Sequence, residues 1–218
     1  MVTSDLVSEN DITKLIIPDD LPDEQPMFRA YIEAKVYDKE GHLIQYHRQP
    51  MRSLTQYFLA LMSIPLIGTY QGSSTNSATG ILTNVLGLPS AISGNSNTAT
   101  IAWTWSIQLG SGTQAFSPSL NSLAAPIANG TEAGQLSYGT VSVAYAGASI
   151  FISVTVTNYT SSTITVTEIG LTCTIGIFYS SSSSNTYNFL LSYDTFSSPI
   201  SIPANSLASF LIVISFSG

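Results

Sequence analysis

Charge is what this sequence has least of. Only 9% of its 218 residues are Asp, Glu, Lys or Arg, against about 25% in an average globular chain. Beyond residue 52 there is no Lys, Arg or His at all, and the only acids are Glu132, Glu168 and Asp194. That gap removes every catalytic device built on a histidine base, a Schiff-base lysine or an arginine oxyanion clamp from three quarters of the chain. The net charge of −7 and a pI near 4.5 argue against non-specific binding to DNA, RNA or an anionic membrane surface. A single cysteine, Cys173, excludes an internal disulfide and any paired-cysteine metal site. No run approaches the ~18 apolar residues of a membrane span; the best, residues 57–68, is interrupted by Pro65. The first dozen residues are acidic and lack the basic and apolar regions of a secretory signal, so the expectation is a protein made and kept inside the cell. Hydrophobic residues are 44% of the chain, which excludes bulk disorder.

What replaces charge is hydroxyl. The chain carries 34 Ser and 23 Thr, and a surface of Ser, Thr, Asn and Gln has almost nothing to titrate between about pH 2 and 8. All six basic residues (Lys14, Arg29, Lys35, Lys39, Arg48, Arg52), both histidines and ten of the thirteen acids lie in residues 1–52. A neutral body suits an outward-facing, harsh or acidic setting. Set beside the missing export signal, it suggests assembly in the cytoplasm into something that later leaves the cell.

Residues 1–26 read as an acidic arm. They hold seven acids against Lys14, with Pro18, Pro22 and Pro26 in the second half, and only Leu15, Ile16 and Ile17 could anchor on an apolar surface. A disordered tail and an arm laid on a neighbouring subunit are both consistent with that composition. Residues 27–218 read as one domain. Residues 28–37 alternate apolar and polar, as a half-buried strand does, and the turn ending in Gly41 predicts a hairpin. His42 and His47, five apart, fall on opposite strand faces and read as two surface histidines. Ser53 reads as the cap of a short helix carrying Leu54, Tyr57, Phe58, Leu61 and Met62.

From there the pattern is strands. In residues 100–109 the odd positions are Ile101, Trp103, Trp105, Ile107 and Leu109, which points to a core face, although paired Trp could also form a sugar platform. Residues 134–146 and 148–158 flank Gly147. Residues 163–179 change phase midway, at Glu168-Ile169-Gly170, which predicts a bulge or bend permitted by Gly170. Residues 180–184 read as a loop tip, and 187–193, 200–202 and 207–216 as three further strands, the last apolar on both faces and therefore central. The expected fold is all-β: an antiparallel β-sandwich of jelly-roll type, with one short helix and an extended N-terminal arm.

No catalytic, cofactor or metal constellation emerges. Glu132 and Asp194 sit in turn-like sequence and read as solvated. Glu168 shares a face with Ile164 and Val166, so it is expected to accept loop amides and pin the corner, with calcium ligation as the lesser alternative. Two sequons, at Asn129 and Asn158, are possible glycosylation acceptors at strand ends.

Two segments carry a resemblance. Residues 107–113 (IQLGSGT), followed by 117–127 (SPSLNSLAAPI), and residues 158–171 (NYTSSTITVTEIGL) are similar, in order and spacing, to segments of virion structural proteins of phages and archaeal viruses. The charge-poor, Ser/Thr-rich style further resembles capsid and turret proteins of icosahedral viruses of acidophilic archaea. The resemblance implies a non-enzymatic building block of a capsid, vertex turret or tail appendage. It would be exposed on the virion exterior and self-assembling, in five copies at a vertex, alongside other virion proteins. An acidic arm departs from the basic arms of coat proteins that touch packaged genome, so no direct nucleic-acid partner and no cofactor is expected. The rival readings are a carbohydrate- or receptor-binding module of a tail fibre or adhesin, which would need exposed aromatics, and a secreted or pilus-like cellular protein.

Overall fold

A computed structural model describes residues 28–58, 100–180 and 183–216. Within them the chain is built of antiparallel strands with almost no helix: β1 (Phe28–Tyr37), β2 (Leu43–Pro50), β3 (Thr100–Gly110), β4 (Ser137–Tyr138), β5 (Ser142–Ala146), β6 (Ser149–Thr157), β7 (Ile164–Ser180), β8 (Ser183–Ile202) and β9 (Leu207–Phe216). They form two sheets, one in the order β2-β1-β9-β6-β4 with β5 also paired to β6, the other β3-β7-β8. The doubly apolar β9 lies between β1 and β6, as its sequence predicts.

Alternation decides which side of each strand is buried. Ile32, Ala34 and Val36 of β1, Ile152, Val154 and Val156 of β6, and Phe210, Ile212 and Ile214 of β9 face inward. They join Ile107, Leu109, Ile169, Leu171 and Cys173 of the second sheet in one apolar cluster. Each Val, Leu, Ile or Phe among them, fully removed from water, contributes roughly 1.5–3 kcal/mol. Two tight turns fix the register. In the β1–β2 hairpin Gly41 takes φ +88°, a region open to glycine at no steric cost, while Asp38 Oδ1 accepts the amides of Glu40 and His42. Gly147, at φ +57°, turns β5 into β6.

Several sequence expectations are corrected. Ser53 does not cap a helix: its carbonyl accepts the Tyr193 amide and the Thr55 amide donates to Leu191, so Leu54 forms a bridge to Ser192 at the edge of β8. Helical backbone begins at residue 56 and runs to 58, the last described residue of this segment; Leu61 and Met62 lie outside the described residues. Residues 134–146 split into β4 and β5. Residues 187–193 and 200–202 belong to one strand, β8, because Pro199 does not end it.

The reason is a wide irregularity. Val166 pairs with Ile200 and Glu168 with Thr195, so Thr167 faces four residues of β8, 196–199, that have no partner on β7. The first sheet supplies the missing bonds with side chains. Gln49 Nε2 donates to Thr195 O and its Oε1 accepts the Ser197 amide. Gln45 Nε2 donates to Pro199 O and its Oε1 accepts the Ser201 amide. Two glutamines four residues apart on β2 thus imitate a strand edge, and Pro199 fits because it brings no N–H to satisfy. His47 lies between them on the same face, edge-on to Phe196 with ring centroids 5.6 Å apart. It is half-buried, not a surface histidine.

Candidate functional site

The two resembling segments meet at one side chain. Glu168 is fully buried, at 0% exposure, on the face of the second sheet that carries the loop of residues 111–126. Its Oε1 accepts the amides of Ala125 at 2.7 Å and Gly112 at 3.3 Å, and its Oε2 accepts that of Ala124 at 3.0 Å. The neighbouring Thr167 hydroxyl donates to Gly112 O at 2.7 Å. Backbone bonds complete the seam, from Ser111 N to Ala125 O and from Ile127 N to Leu109 O. The glycines are explained by approach distance. A Cβ on Gly110 would run into the Glu168 carboxylate, and one on Gly112 would come within 2.9 Å of Ala124 and Ala125. A buried carboxylate satisfied by backbone amides is a structural clamp.

Gly170 has a different role from the expected one. Its φ is not positive, and the register shifts on either side of it, between Val166 and Glu168 and between Leu171 and Thr172. What Gly170 provides is room, because a Cβ there would lie 2.5 Å from Leu190 Cδ1 and 3.0 Å from Leu123 Cδ2. Leu123, Leu190 and Tyr193 form a second small apolar cluster under the loop. The Tyr193 hydroxyl accepts the Gln114 amide and donates to the Gln114 carbonyl.

Asp194 overturns its reading as a solvated turn residue. It lies in β8, 5% exposed, and both its oxygens accept the Arg52 amide, at 3.1 and 3.3 Å. Burial pushes its pKa up to about 6, the amides of Arg52 and Ser53 and the Arg52 charge opposing. Because Asp194 pairs with Ile169, the residue after Glu168, the two buried carboxylates point to opposite faces of the sheet. They do not form a dyad. Beside Asp194 opens a cleft of about 190 Å³ lined by Gln49, Arg52, Gln114, Phe116 and Tyr193, among others.

The chemistry on offer is limited. Among the described residues no serine, threonine or cysteine hydrogen-bonds a histidine. Cys173 is buried, and desolvation pushes its thiol up to about 11, the reverse of an activated nucleophile. Sequence reading missed one cluster: Asp38, Glu40 and His42 bring three possible ligand atoms within 4.8 Å, a spacing of two and four residues that a hairpin turn gathers. Their bonds are already internal to the turn, His42 Nδ1 lying 3.1 Å from Asp38 Oδ2.

The remaining expected sites separate cleanly. Leu15, Ile16 and Ile17 lie outside the described residues. Trp105 is half-buried and packed on the main core; the Trp103 side chain of the expected pair lies outside what the structure describes. Asn158 is 0% exposed, and its Nδ2 donates to the carbonyls of Ser162, Ile202 and Pro203. In the folded chain it is a corner fastener and cannot accept a glycan. Asn129 is exposed and uses only Oδ1, which accepts the Tyr138 amide. Compared with known protein families, curated proteins and solved structures, the chain matches none.

Proposed function

We propose that this protein is a virion structural component that acts by self-assembly, as a capsid or vertex-turret building block, with a jelly-roll type of sandwich as its body. One observation carries the reading. Of the three acids beyond residue 52, Glu168 and Asp194 are buried and only Glu132 is exposed, so the surface that the described residues beyond 52 present holds a single ionised side chain. Such a surface forgoes the mixed charges that keep ordinary soluble proteins apart, and it keeps one character from neutral to strongly acidic water. The buried polar groups are spent on fastening loops to sheets: Glu168, Asp194, Asn158, Gln45 and Gln49 all hold backbone. The pairing of the first and last strands, β1 and β9, and the four passages of the chain between the two sheets support the jelly-roll part of the reading.

Sedimentation velocity and negative-stain microscopy on the purified full-length chain test it. Closed rings or lattices that persist from pH 7 to pH 3 are expected. A solitary monomer at every concentration would overturn the proposal.

A further inference from the structure

One open site is left once the loops are fastened. Residues 49–53, the loop around Phe116 and residues 193–197 of β8 meet at the cleft of about 190 Å³. Its floor is closed, with Gln49, Tyr193 and Asp194 buried, and its rim is open, with Arg52, Phe116, Thr195 and Ser197 exposed. Phe116, at 42% exposure, does not sit on a loose loop. On one side of it the Gln114 amide donates to the Tyr193 hydroxyl at 2.8 Å, and on the other the Pro118 carbonyl accepts the Gln56 amide at 2.9 Å. An apolar ring held still in water beside a polar cleft is preorganised for contact with a ligand. The polar groups around it are spare. Among the described residues the Arg52 guanidinium and the hydroxyls of Thr195 and Ser197 have no hydrogen-bond or ion-pair partner. Asp194 accepts only the main-chain amides of Arg52 and Ser53. A carboxylate has about four acceptor positions, so Asp194 keeps capacity for a ligand hydroxyl.

We propose that this cleft binds one pyranose ring of a neutral carbohydrate, with an apolar face of the ring on Phe116 and its hydroxyls on Asp194, Arg52, Thr195 and Ser197. The inference goes beyond the self-assembly reading and does not rest on it. Charge narrows the ligand. A cation would meet the Arg52 guanidinium and an anion the Asp194 carboxylate, each a like charge at short range. A hydroxyl donates and accepts at once, so a neutral polyol uses the carboxylate, the guanidinium and the two protein hydroxyls together. Size narrows it further. A volume of about 190 Å³ lies below the roughly 300–1,000 Å³ of pockets that take drug-sized ligands, and it admits a single ring. Phe116 selects that ring over an open-chain polyol, because the C–H groups along one side of a pyranose offer a flat apolar patch to an aromatic plane.

Saturation-transfer-difference NMR on the purified full-length chain tests it, because the method reads weak ligands on a monomer and on a large particle alike. The probes are the methyl glycosides of glucose, mannose, galactose and N-acetylglucosamine. Millimolar binding of at least one is expected, with saturation strongest on the protons of one ring face. The signal should fall at least ten-fold in Phe116→Ala and several-fold in Arg52→Ala. Both side chains are exposed, so neither change should shift the melting temperature, and Asp194, which also holds main chain, is left intact. A trisaccharide ending in the bound sugar should match the glycoside if the ligand is the end of a glycan, and fail to bind if it is a free sugar. Either result sustains a one-ring site, whereas ten-fold tighter binding of the trisaccharide would overturn it. No saturation of any glycoside, or undiminished saturation in Phe116→Ala, would overturn the proposal. Displacement of the sugar by equimolar acetate or phosphate would overturn the neutral ligand class.

Discussion

Replacing Glu168 by alanine removes the acceptor of three partly buried amides at once. The N–H groups of Gly112, Ala124 and Ala125 lose the oxygens they donate to, and each unsatisfied buried donor costs about 1–3 kcal/mol. The loop of residues 111–126 can relax toward water, which favours the low end of that range, but the change also empties the volume of a fully buried side chain. The expected destabilisation of Glu168→Ala is therefore about 3–5 kcal/mol, a large part of the roughly 5–15 kcal/mol that holds a domain together. Glu168→Gln retains one oxygen, enough for two of the three donors, and sets an amide NH2 against the third; about 1–2 kcal/mol is expected. Urea denaturation gives both values. Hydrogen exchange adds the location: the peptide of residues 107–127 should lose protection in Glu168→Ala while that of 207–216 keeps it. A loss below about 1 kcal/mol, or unchanged exchange in residues 107–127, would refute the clamp.

Three further outcomes follow from the same geometry. The carboxyl of Asp194, raised to about 6 in the fold from about 3.9 in an unfolded chain, binds its proton more tightly when folded. Its contribution is fully present below about pH 4 and is lost as pH rises through 6, a swing of about 3 kcal/mol. Thermal melts should show the protein gaining stability from pH 7 to pH 4, and Asp194→Asn should flatten that gain; equal slopes in both proteins would contradict the assignment. Gly170→Ala pushes a methyl against Leu190, Leu123 and Ser192 O and should cost about 1–3 kcal/mol by chemical denaturation, with no change expected if the site were merely a flexible bend. Gln49→Ala removes the bonds to Thr195 O and Ser197 N and should cost about 1–3 kcal/mol, with faster amide exchange at Ser197 and not at Leu211; the reverse pattern would deny the stitching role.

How much of this the sequence discloses depends on the range of the signal. Period-2 alternation is local, so β1, β3, β6 and β9 are legible residue by residue, as is the central place of β9 from its two apolar faces. The Glu168 corner is legible in part: parity puts that carboxylate on a buried face and the phase change marks an irregularity. Neither tells which loop supplies the amides, because Gly112 and Ala125 lie 56 and 43 residues away. Asp194 fails for a related reason. An Asp beside Ser and Thr reads as a turn, and only the return of residues 52–55 along the β8 edge, some 140 residues distant in sequence, buries it. The helix expected after Ser53 starts later, at residue 56, since Ser53 and Thr55 are drawn to the β8 edge, where the Thr55 hydroxyl donates to the Leu190 and Leu191 carbonyls. The sequon at Asn158 satisfies a three-residue rule that carries no information about burial.

The placement of charge has a physical consequence for how copies of such a chain would meet. In water at about 0.15 M salt, attraction between exposed charges fades over about 8 Å. The stretch beyond residue 52, whose only exposed acid is Glu132, neither steers nor repels a neighbour at longer range. Long-range attraction would then come from residues 1–52, where ten acids and six bases are gathered. Contacts between bodies, made of hydroxyl and apolar groups, would be indifferent to salt and pH. Contacts through the arm would weaken with salt, and with acid as its carboxylates protonate. Assembly under the proposed reading therefore divides into an early step sensitive to ionic strength and a finished particle that is not, and the two can be separated by adding salt before or after assembly is complete.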